Sequence, residues 1–253
     1  MRAIILVAGK GSRLPKKLSR NPKSFLKLGK KKIIEILINN FQLLKIKKIS
    51  LVTGYQSKSF KRLNYDFKEF HNSNWKNTNM VYSLVKAKNW LSKYPCIVSY
   101  GDIFYEKKAI TKLLKEKSSI VISYDINWKK LWNKRFINPL DDAETFKIDK
   151  KNFITEIGNK TKKYENIEGQ YMGLILFRPN GWLKFFKCLK KDFRNNYNQV
   201  YLTDVFQKLI QSGVKIKAAK FNGFWSEVDT NKDYSVMKKI YKSYQDKKLK
   251  IKK

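Results

Sequence analysis

Residues 2–7 (Arg-Ala-Ile-Ile-Leu-Val) form a short apolar run that ends directly in the turn Ala8-Gly9-Lys10-Gly11-Ser12-Arg13. An apolar run that does not alternate suits a parallel strand covered on both faces. Two glycines straight after it let backbone N–H groups close on a phosphate. After a basic loop to about Lys30, the residues Ile33, Ile34, Leu37, Phe41 and Leu44 recur at helical spacing, and residues 49–52 read as a second strand ending at Gly54. Strand, helix and strand in this order make a βαβ unit, and that commits the chain to an α/β fold.

The rest of the chain extends this start. Thr78 is placed to cap a helix that carries Val81, Leu84, Val85 and Leu91. Residues 95–100 and 119–124 read as further strands, the first closed by Gly101-Asp102. Between residues 125 and 180 the pattern changes to short strand-like pieces (143–148, 153–157, 170–177) separated by turns. Helical periodicity returns over 181–193 and 201–210, and Gly213 stops the second of these. A late strand over 214–219 and a closing helix over 233–244 complete the pattern. The expectation is one domain over residues 1–246, a mixed sheet with helices on both faces, and 125–180 as an excursion over a site. The lysine-rich stretch 247–253 is expected to be a frayed basic tail.

Composition narrows the chemistry. The 253 residues hold 56 Lys and Arg against 20 Asp and Glu, a net charge of +36. With 42% hydrophobic residues the chain is not a disordered basic tail. Only Cys96, Cys188 and His71 are available, so a Cys/His zinc site, a Ser-His-Asp triad and a disulfide framework find little support. No apolar run is long enough to span a membrane, and the first residues are too short a run for a signal peptide. A cytoplasmic location is expected.

A charge of +36 also raises nucleic-acid binding. Basic residues are spread through most segments, however, so the excess reads mainly as lysine-rich solvated surface, and no nucleic-acid partner is expected. The scarce acids are more telling, since 11 of the 20 fall between residues 101 and 168.

The Gly9-x-Gly11 turn lacks the third glycine of a dinucleotide fingerprint and the Gly-Lys-Ser/Thr ending of a P-loop. By itself it could be a plain structural turn. Arg13 adds a fork of donors suited to phosphate. Asp102 follows the end of a strand, the edge where open α/β sheets bind ligands, although a lone aspartate there could also cap a helix. Trp225-Ser226-Glu227-Val228-Asp229 brings two more acids in an extended stretch. Carboxylates from two distant parts of a chain can hold one Mg²⁺, which prefers oxygen ligands and phosphates. Trp128 and Trp132, at i and i+4, read as readily as a core pair, and Asp141, Asp142 and Glu144 could be solvated loop acids. An acceptor with an ammonium group would instead want carboxylates and an aromatic face.

Leu6-Val7-Ala8-Gly9-Lys10-Gly11-Ser12-Arg13-Leu14, followed by Asn21-Pro22-Lys23-Ser24-Phe25-Leu26, resembles the signature of the sugar-nucleotide and phosphocholine-type nucleotidyltransferases. That signature is a Leu-Ala-Ala-Gly-x-Gly-x-Arg-Leu loop and then a Pro-Lys pair; here Val7 replaces an alanine and the gap to Pro22-Lys23 is short. The resemblance implies a Rossmann-like three-layer fold with a mixed, mainly parallel sheet. It implies that Ala8, Gly9, Gly11, Ser12 and Arg13 hold the nucleotide and that Lys23 touches phosphate at the reacting centre. Asp102 and Asp229, supported by Glu227, would hold Mg²⁺.

The middle motifs, among them Asn138-Pro139-Leu140-Asp141-Asp142, Glu156-Ile157-Gly158-Asn159-Lys160 and Glu168-Gly169-Gln170-Tyr171-Met172-Gly173, are similar to cytidylyltransferases of phosphonate biosynthesis and to those acting on phosphoglutamine. The similarity spans roughly residues 2–240 and implies CTP as the nucleotide. Asn79 and Ser83 fall where the related phosphocholine enzymes carry an Asn-x-x-Tyr-Ser-Leu stretch near the nucleotide. Asp125, Trp128, Glu144, Lys160, Gln170 and Tyr171 become acceptor-side candidates, with Lys160 on the acceptor phosphate and a catalytic part shared by Arg13, Lys23 and Lys160. The expected reaction is attack of an acceptor phosphonate or phosphate on the α-phosphorus of CTP, with release of pyrophosphate. 2-Aminoethylphosphonate or a related phosphonate is the first acceptor, phosphoglutamine or phosphocholine the alternative, and a homodimer is left open. A glycosyltransferase of similar topology is the competing enzyme reading, but Gly101-Asp102-Ile103-Phe104 has one acid where such enzymes carry Asp-x-Asp.

Overall fold

The computed structural model describes residues 1–194 and 196–251; Lys252 and Lys253, the end of the expected tail, lie outside the described residues. The opening run forms β1 (Arg2–Val7), with Ala3, Ile4, Ile5 and Val7 buried. A small hairpin, β2 (Lys27–Leu28) and β3 (Lys31–Lys32), leads into α1 (Ile33–Leu43), β4 (Ile49–Thr53) and β5 (Lys68–His71). Helices α2 (Met80–Lys86) and α3 (Lys88–Leu91) precede β6 (Cys96–Tyr100), β7 (Ile103–Tyr105) and α4 (Lys108–Lys115). Next come β8 (Ile120–Asp125), α5 (Trp128–Arg135), the ribbon β9 (Glu144–Ile148) and β10 (Ile154–Lys160), and β11 (Gln170–Phe177). The chain closes with α6 (Pro179–Asp192), α7 (Leu202–Gln211), β12 (Lys217–Phe221), β13 (Trp225–Glu227) and α8 (Asn231–Ile251).

The central sheet has seven strands in the order β12-β8-β11-β6-β1-β4-β5. Every pair is parallel except those of β11, which runs antiparallel to both β6 and β8. The carboxyl ends of β1, β4, β6 and β8 and the start of β11 therefore share one edge, where ligands bind in open α/β sheets. Alternation along β1 sorts its side chains between two cores. Ile4 packs with Trp182, Phe185 and Phe206 on one face, while Ala3, Ile5 and Val7 pack with Leu37, Phe41 and Met237 on the other. The fold is the expected mixed, mainly parallel sheet between helical layers.

Local chemistry moves three boundaries. Thr78 does not cap α2. Its hydroxyl turns back, donating to Asn74 O (2.8 Å) and accepting from Asn72 Nδ2 (3.0 Å), and Asn79 Oδ1 takes the Met80 N–H instead (2.7 Å). The helix expected through Leu91 breaks at Ala87, where φ is −91° and ψ 13°. The closing helix runs on past Tyr244 to Ile251, so Lys247–Lys250 are helical rather than frayed.

Gly101 carries a tight constraint at the sheet edge. Its N–H donates to Leu6 O (3.0 Å), and a Cβ at this position would run into the Val7 side chain and the same carbonyl. Gly101→Ala should cost about 1–3 kcal/mol through this overlap, read as a lower denaturant midpoint with an unchanged m-value.

Candidate active site

After Val7 the chain leaves the sheet and turns at Gly11, whose φ of 73° favours glycine. A Cβ on Gly11 would strike the Lys23 stem, which lies along the glycine with Cγ and Cε 2.5 and 2.8 Å from that point. The loop glycine thus fixes where Lys23 runs. Among the described residues none of the backbone N–H groups of residues 9–13 has a protein partner. They border a groove of about 330 Å³ lined by Gly9, Gly11, Ser12, Arg13, Lys23 and Asp102. Ser24, also in that lining, has a buried hydroxyl with no partner. An adjoining hollow of about 170 Å³ is lined by Ala8, Gly9, Trp75, Asn79, Ser83 and Tyr100. Together they offer an anion-binding loop next to a smaller, partly aromatic recess.

Two distant acids meet at the mouth of this groove. Asp102 lies between β6 and β7, and Asp229 follows β13. The antiparallel β7–β13 ladder, with Glu227 opposite Ile103, brings them together, and Val228 N–H donates to Asp102 O (3.0 Å). Lys23 Nζ spends its three donors there, on Asp102 Oδ2 (2.9 Å), Asp229 Oδ1 (2.7 Å) and Val228 O (2.9 Å). Burial pulls the ammonium pKa down, but the two carboxylates together outweigh it and hold the pKa above the ordinary lysine value. Arg13 Nη2 reaches the same Asp229 oxygen at 2.7 Å, from a side chain that is 65% exposed.

Behind Asp229 stands Arg135, at the end of α5, with 1% of its side chain exposed. It pairs with Glu227 (2.5 Å) and Asp233 (2.8 Å) and lies 3.9 Å from Asp229 Oδ2. Asp233 Oδ2 in turn accepts from the N–H groups of Asp229 (3.1 Å) and Thr230 (2.8 Å) and from the Thr230 hydroxyl (2.9 Å). The Asp233 N–H returns a bond to Thr230 Oγ1 (3.2 Å), which completes a capping box at the start of α8. Burial pushes the Glu227 carboxyl up to about 7 against the pull of Arg135. Glu227 is thus turned to Arg135, whereas Asp102 and Asp229 share one cation. No group of three or more His, Cys, Asp or Glu side chains among the described residues forms a metal cluster. The pair that could hold a divalent cation is Asp102 and Asp229, an all-oxygen set suited to a hard ion.

On the acceptor side, Glu144 opens β9 directly opposite Lys160 of β10, which is exposed. Burial pushes the Glu144 carboxyl up to about 7; Lys160 pulls it down and Asp142 pushes it further up. Gln170 works as a clamp. Its Nε2 donates to Glu144 O (2.6 Å) and its Oε1 accepts the Glu144 N–H (3.3 Å), which ties the ribbon to the central sheet. Tyr171 sets its ring edge against Tyr100 with centroids 5.7 Å apart. Trp128 is taken into the core, donating its indole N–H to Ile167 O (3.3 Å), with its ring beside Trp132 and Tyr164. Asp125 is buried, accepts from the Asn127 N–H (2.9 Å), and opens onto a different cleft between α5 and α8. Loop, Lys23 and carboxylate pair are therefore gathered at one groove, with Glu144 and Lys160 facing each other across the ribbon; Trp128 and Asp125 stand apart from the groove.

Residues 3–145 match the MobA-like NTP transferase domain. The chain belongs to this family. It is 37% identical to the CTP:phosphoglutamine cytidylyltransferase of Campylobacter jejuni, over 93% of this chain and 98% of that protein. Among solved structures it is similar to a candidate glucose-1-phosphate thymidylyltransferase from Bacillus anthracis (TM-score 0.76, 17% identity, 95% of each chain covered). It is also similar to the inositol-1-phosphate CTP transferase from T. maritima (TM-score 0.73, 20% identity, 94% of this chain and 95% of that one). At these identities the structural likeness speaks to the fold alone.

Three residues that build the site of this NTP transferase, Asp233, Arg135 and Asn72, have roles that their sequence neighbourhood shows weakly or not at all. Thr230-x-x-Asp233 before an apolar run is a visible capping-box pattern and could have flagged Asp233. Arg135 falls within the middle stretch that carries the resemblance, but its structural role shows only in its burial, which no other Lys or Arg among the described residues shares. Asn72, fully buried, fixes the turn before α2 by donating to Thr78 Oγ1 and Ser83 Oγ (both 3.0 Å), and nothing in its sequence neighbourhood shows this. In the transferase, Glu144 titrates with a raised folded pKa, so its ionisation costs stability as the pH climbs from about 4.5 to 7. Glu144→Gln should be more stable than the parent at pH 8, by on the order of 1–3 kcal/mol, with the difference closing towards pH 4. Urea unfolding at both pH values measures it.

Proposed function

We propose that this chain is a Mg²⁺-dependent cytidylyltransferase that transfers CMP from CTP to a small phosphorylated acceptor and releases pyrophosphate. The observation that carries nucleotidyl transfer is the meeting of Asp102, Asp229 and Lys23 at the mouth of a groove bordered by free loop N–H groups. The relative that matches almost end to end supports CTP as the nucleotide and a small phosphorylated acceptor. That match favours phosphoglutamine over the phosphonate expected first from the sequence, although a phosphonate is compatible with the same site.

The acceptor oxygen is already anionic at neutral pH, so the reaction needs no general base. The task is to bring two anions together and to stabilise added charge on the transferring phosphorus. Arg13 and Lys23 provide positive charge at the loop, with the N–H groups of residues 9–13 on the triphosphate. Asn79 and Ser83 line the recess that suits the base and ribose. Lys160 provides positive charge for the acceptor phosphate, and Glu144 offers a carboxylate to an acceptor that carries an amine. Mg²⁺ on Asp102 and Asp229 would supply further neutralisation of phosphate charge. Lys23 and that cation compete for the same two carboxylates.

A pyrophosphate-release assay with each of the four NTPs against phosphoglutamine, 2-aminoethylphosphonate and phosphocholine tests the reading. CTP with phosphoglutamine should be the fastest pair; turnover with UTP or dTTP and a sugar phosphate, but none with CTP, overturns it. Asp102→Ala should lower kcat about 100-fold with the fold intact, and more than about a tenth of the activity remaining would remove Asp102 from the reacting centre. Competition at the carboxylates has a separate readout that needs no turnover. Lys23→Met should bind Mn²⁺ more tightly than the parent by calorimetry without nucleotide; unchanged affinity would separate the carboxylate pair from metal binding.

A further inference from the structure

A cleft of about 580 Å³ runs between α5 and α8 and shares no lining residue with the catalytic groove or its adjoining recess. This volume lies in the range of small-molecule sites. Its chemistry is asymmetric. At the inner end is Asp125, 4% exposed and the single acid in the lining; one of its oxygens accepts the Asn127 N–H. At the rim stand Lys130, Lys134 and Lys239, all exposed and none in an ion pair with the described residues. Between them lies an apolar wall of Leu131, Val236 and Ile240.

A second observation comes from Trp225, which also lines the cleft. The residue is 3% exposed, yet its indole N–H has no hydrogen-bond partner. A buried donor left without a partner is costly. The Trp225 ring stacks on Trp132 (5.9 Å, 23°), so the indole is held in place rather than free to seek solvent.

We infer that the cleft between α5 and α8 is a second ligand site, for a small zwitterion of the amino-acid or dipeptide class. Its ammonium would pair with Asp125, its carboxylate with the rim lysines, and its apolar body would lie on Leu131, Val236, Ile240 and Trp225. A purely anionic ligand would place negative charge against the buried Asp125, and a purely cationic one would enter past three lysines; a molecule with both charges meets neither penalty. The site is joined to the catalytic end of the molecule, because α5 and α8 are the two helices that Arg135 and Asp233 tie together.

Isothermal titration of the full chain with the twenty amino acids and a set of dipeptides tests the site, independently of which nucleotide or acceptor the transferase uses. At least one should bind with one-to-one stoichiometry. Asp125→Asn, which keeps the acceptor for the Asn127 N–H, should weaken binding about tenfold or more, the loss of one charge-assisted hydrogen bond. Lys239→Glu, on the exposed face of α8, should do the same while leaving pyrophosphate release at the parental rate. Arg13→Ala in the catalytic groove should leave the titration unchanged. Absence of any binder, binding that survives both cleft variants, or binding lost with Arg13→Ala would each overturn the inference.

Discussion

Asp102 and Asp229 come from distant parts of the chain and converge on a single ammonium. Two carboxylates that close to one point repel by on the order of 3 kcal/mol at an effective dielectric of 20. Lys23, bonded to both and to Val228 O, turns that repulsion into a three-way clasp. Much of the surrounding structure serves this clasp. Gly11 leaves room for the Lys23 stem, Gly101 lets the chain cross close to β1 on its way to Asp102, and the β7–β13 ladder carries Asp229 alongside. Arg135, buried behind, is neutralised by Glu227 and Asp233 and holds the backbone that bears Asp229 through the capping box of α8.

The net charge of +36 acquires a local meaning in this arrangement. Most of the lysines stand on solvated faces, where a single charge contributes little. Three cations do something different. Arg13, Lys23 and Arg135 lie around one aspartate, and four carboxylates (Asp102, Glu227, Asp229 and Asp233) lie around them. In a chain with so few acids, that concentration at a sheet edge marks a place built to handle charge. Family membership, from residues 3–145 and from a full-length relative, agrees with what the geometry implies about anionic substrates.

Fold class and the outer frame of the site could be read from residue order. The apolar run of β1, the glycine turn and the helical spacing in α1 act within a few residues of one another, and local pattern records such interactions directly. The same holds for Asp102 beyond a strand and for the Glu-x-Asp stretch at Glu227. Less was visible where polar side chains choose between neighbours. Thr78 and Asn79 are both able to cap α2, and the choice fell to Asn79 because buried Asn72, reaching across from the end of β5, had already engaged Thr78. Trp128 could equally have faced an acceptor, but its spacing with Trp132 turned it inward against Tyr164.

The sequence by itself determined the α/β architecture and the glycine loop after its first strand, because these depend on periodicity and local residue types, while the candidate acids came from the family resemblance. Only the tertiary structure decided that Lys23 joins Asp102 to Asp229, that Glu227 belongs to Arg135, that Gln170 holds the backbone of Glu144, and that Asp125 opens onto a cleft of its own. The first three of those outcomes are pairings of charged or polar groups far apart in the chain. The energy of such a pair depends on distance and burial, and neither exists until the sheet brings its edges together.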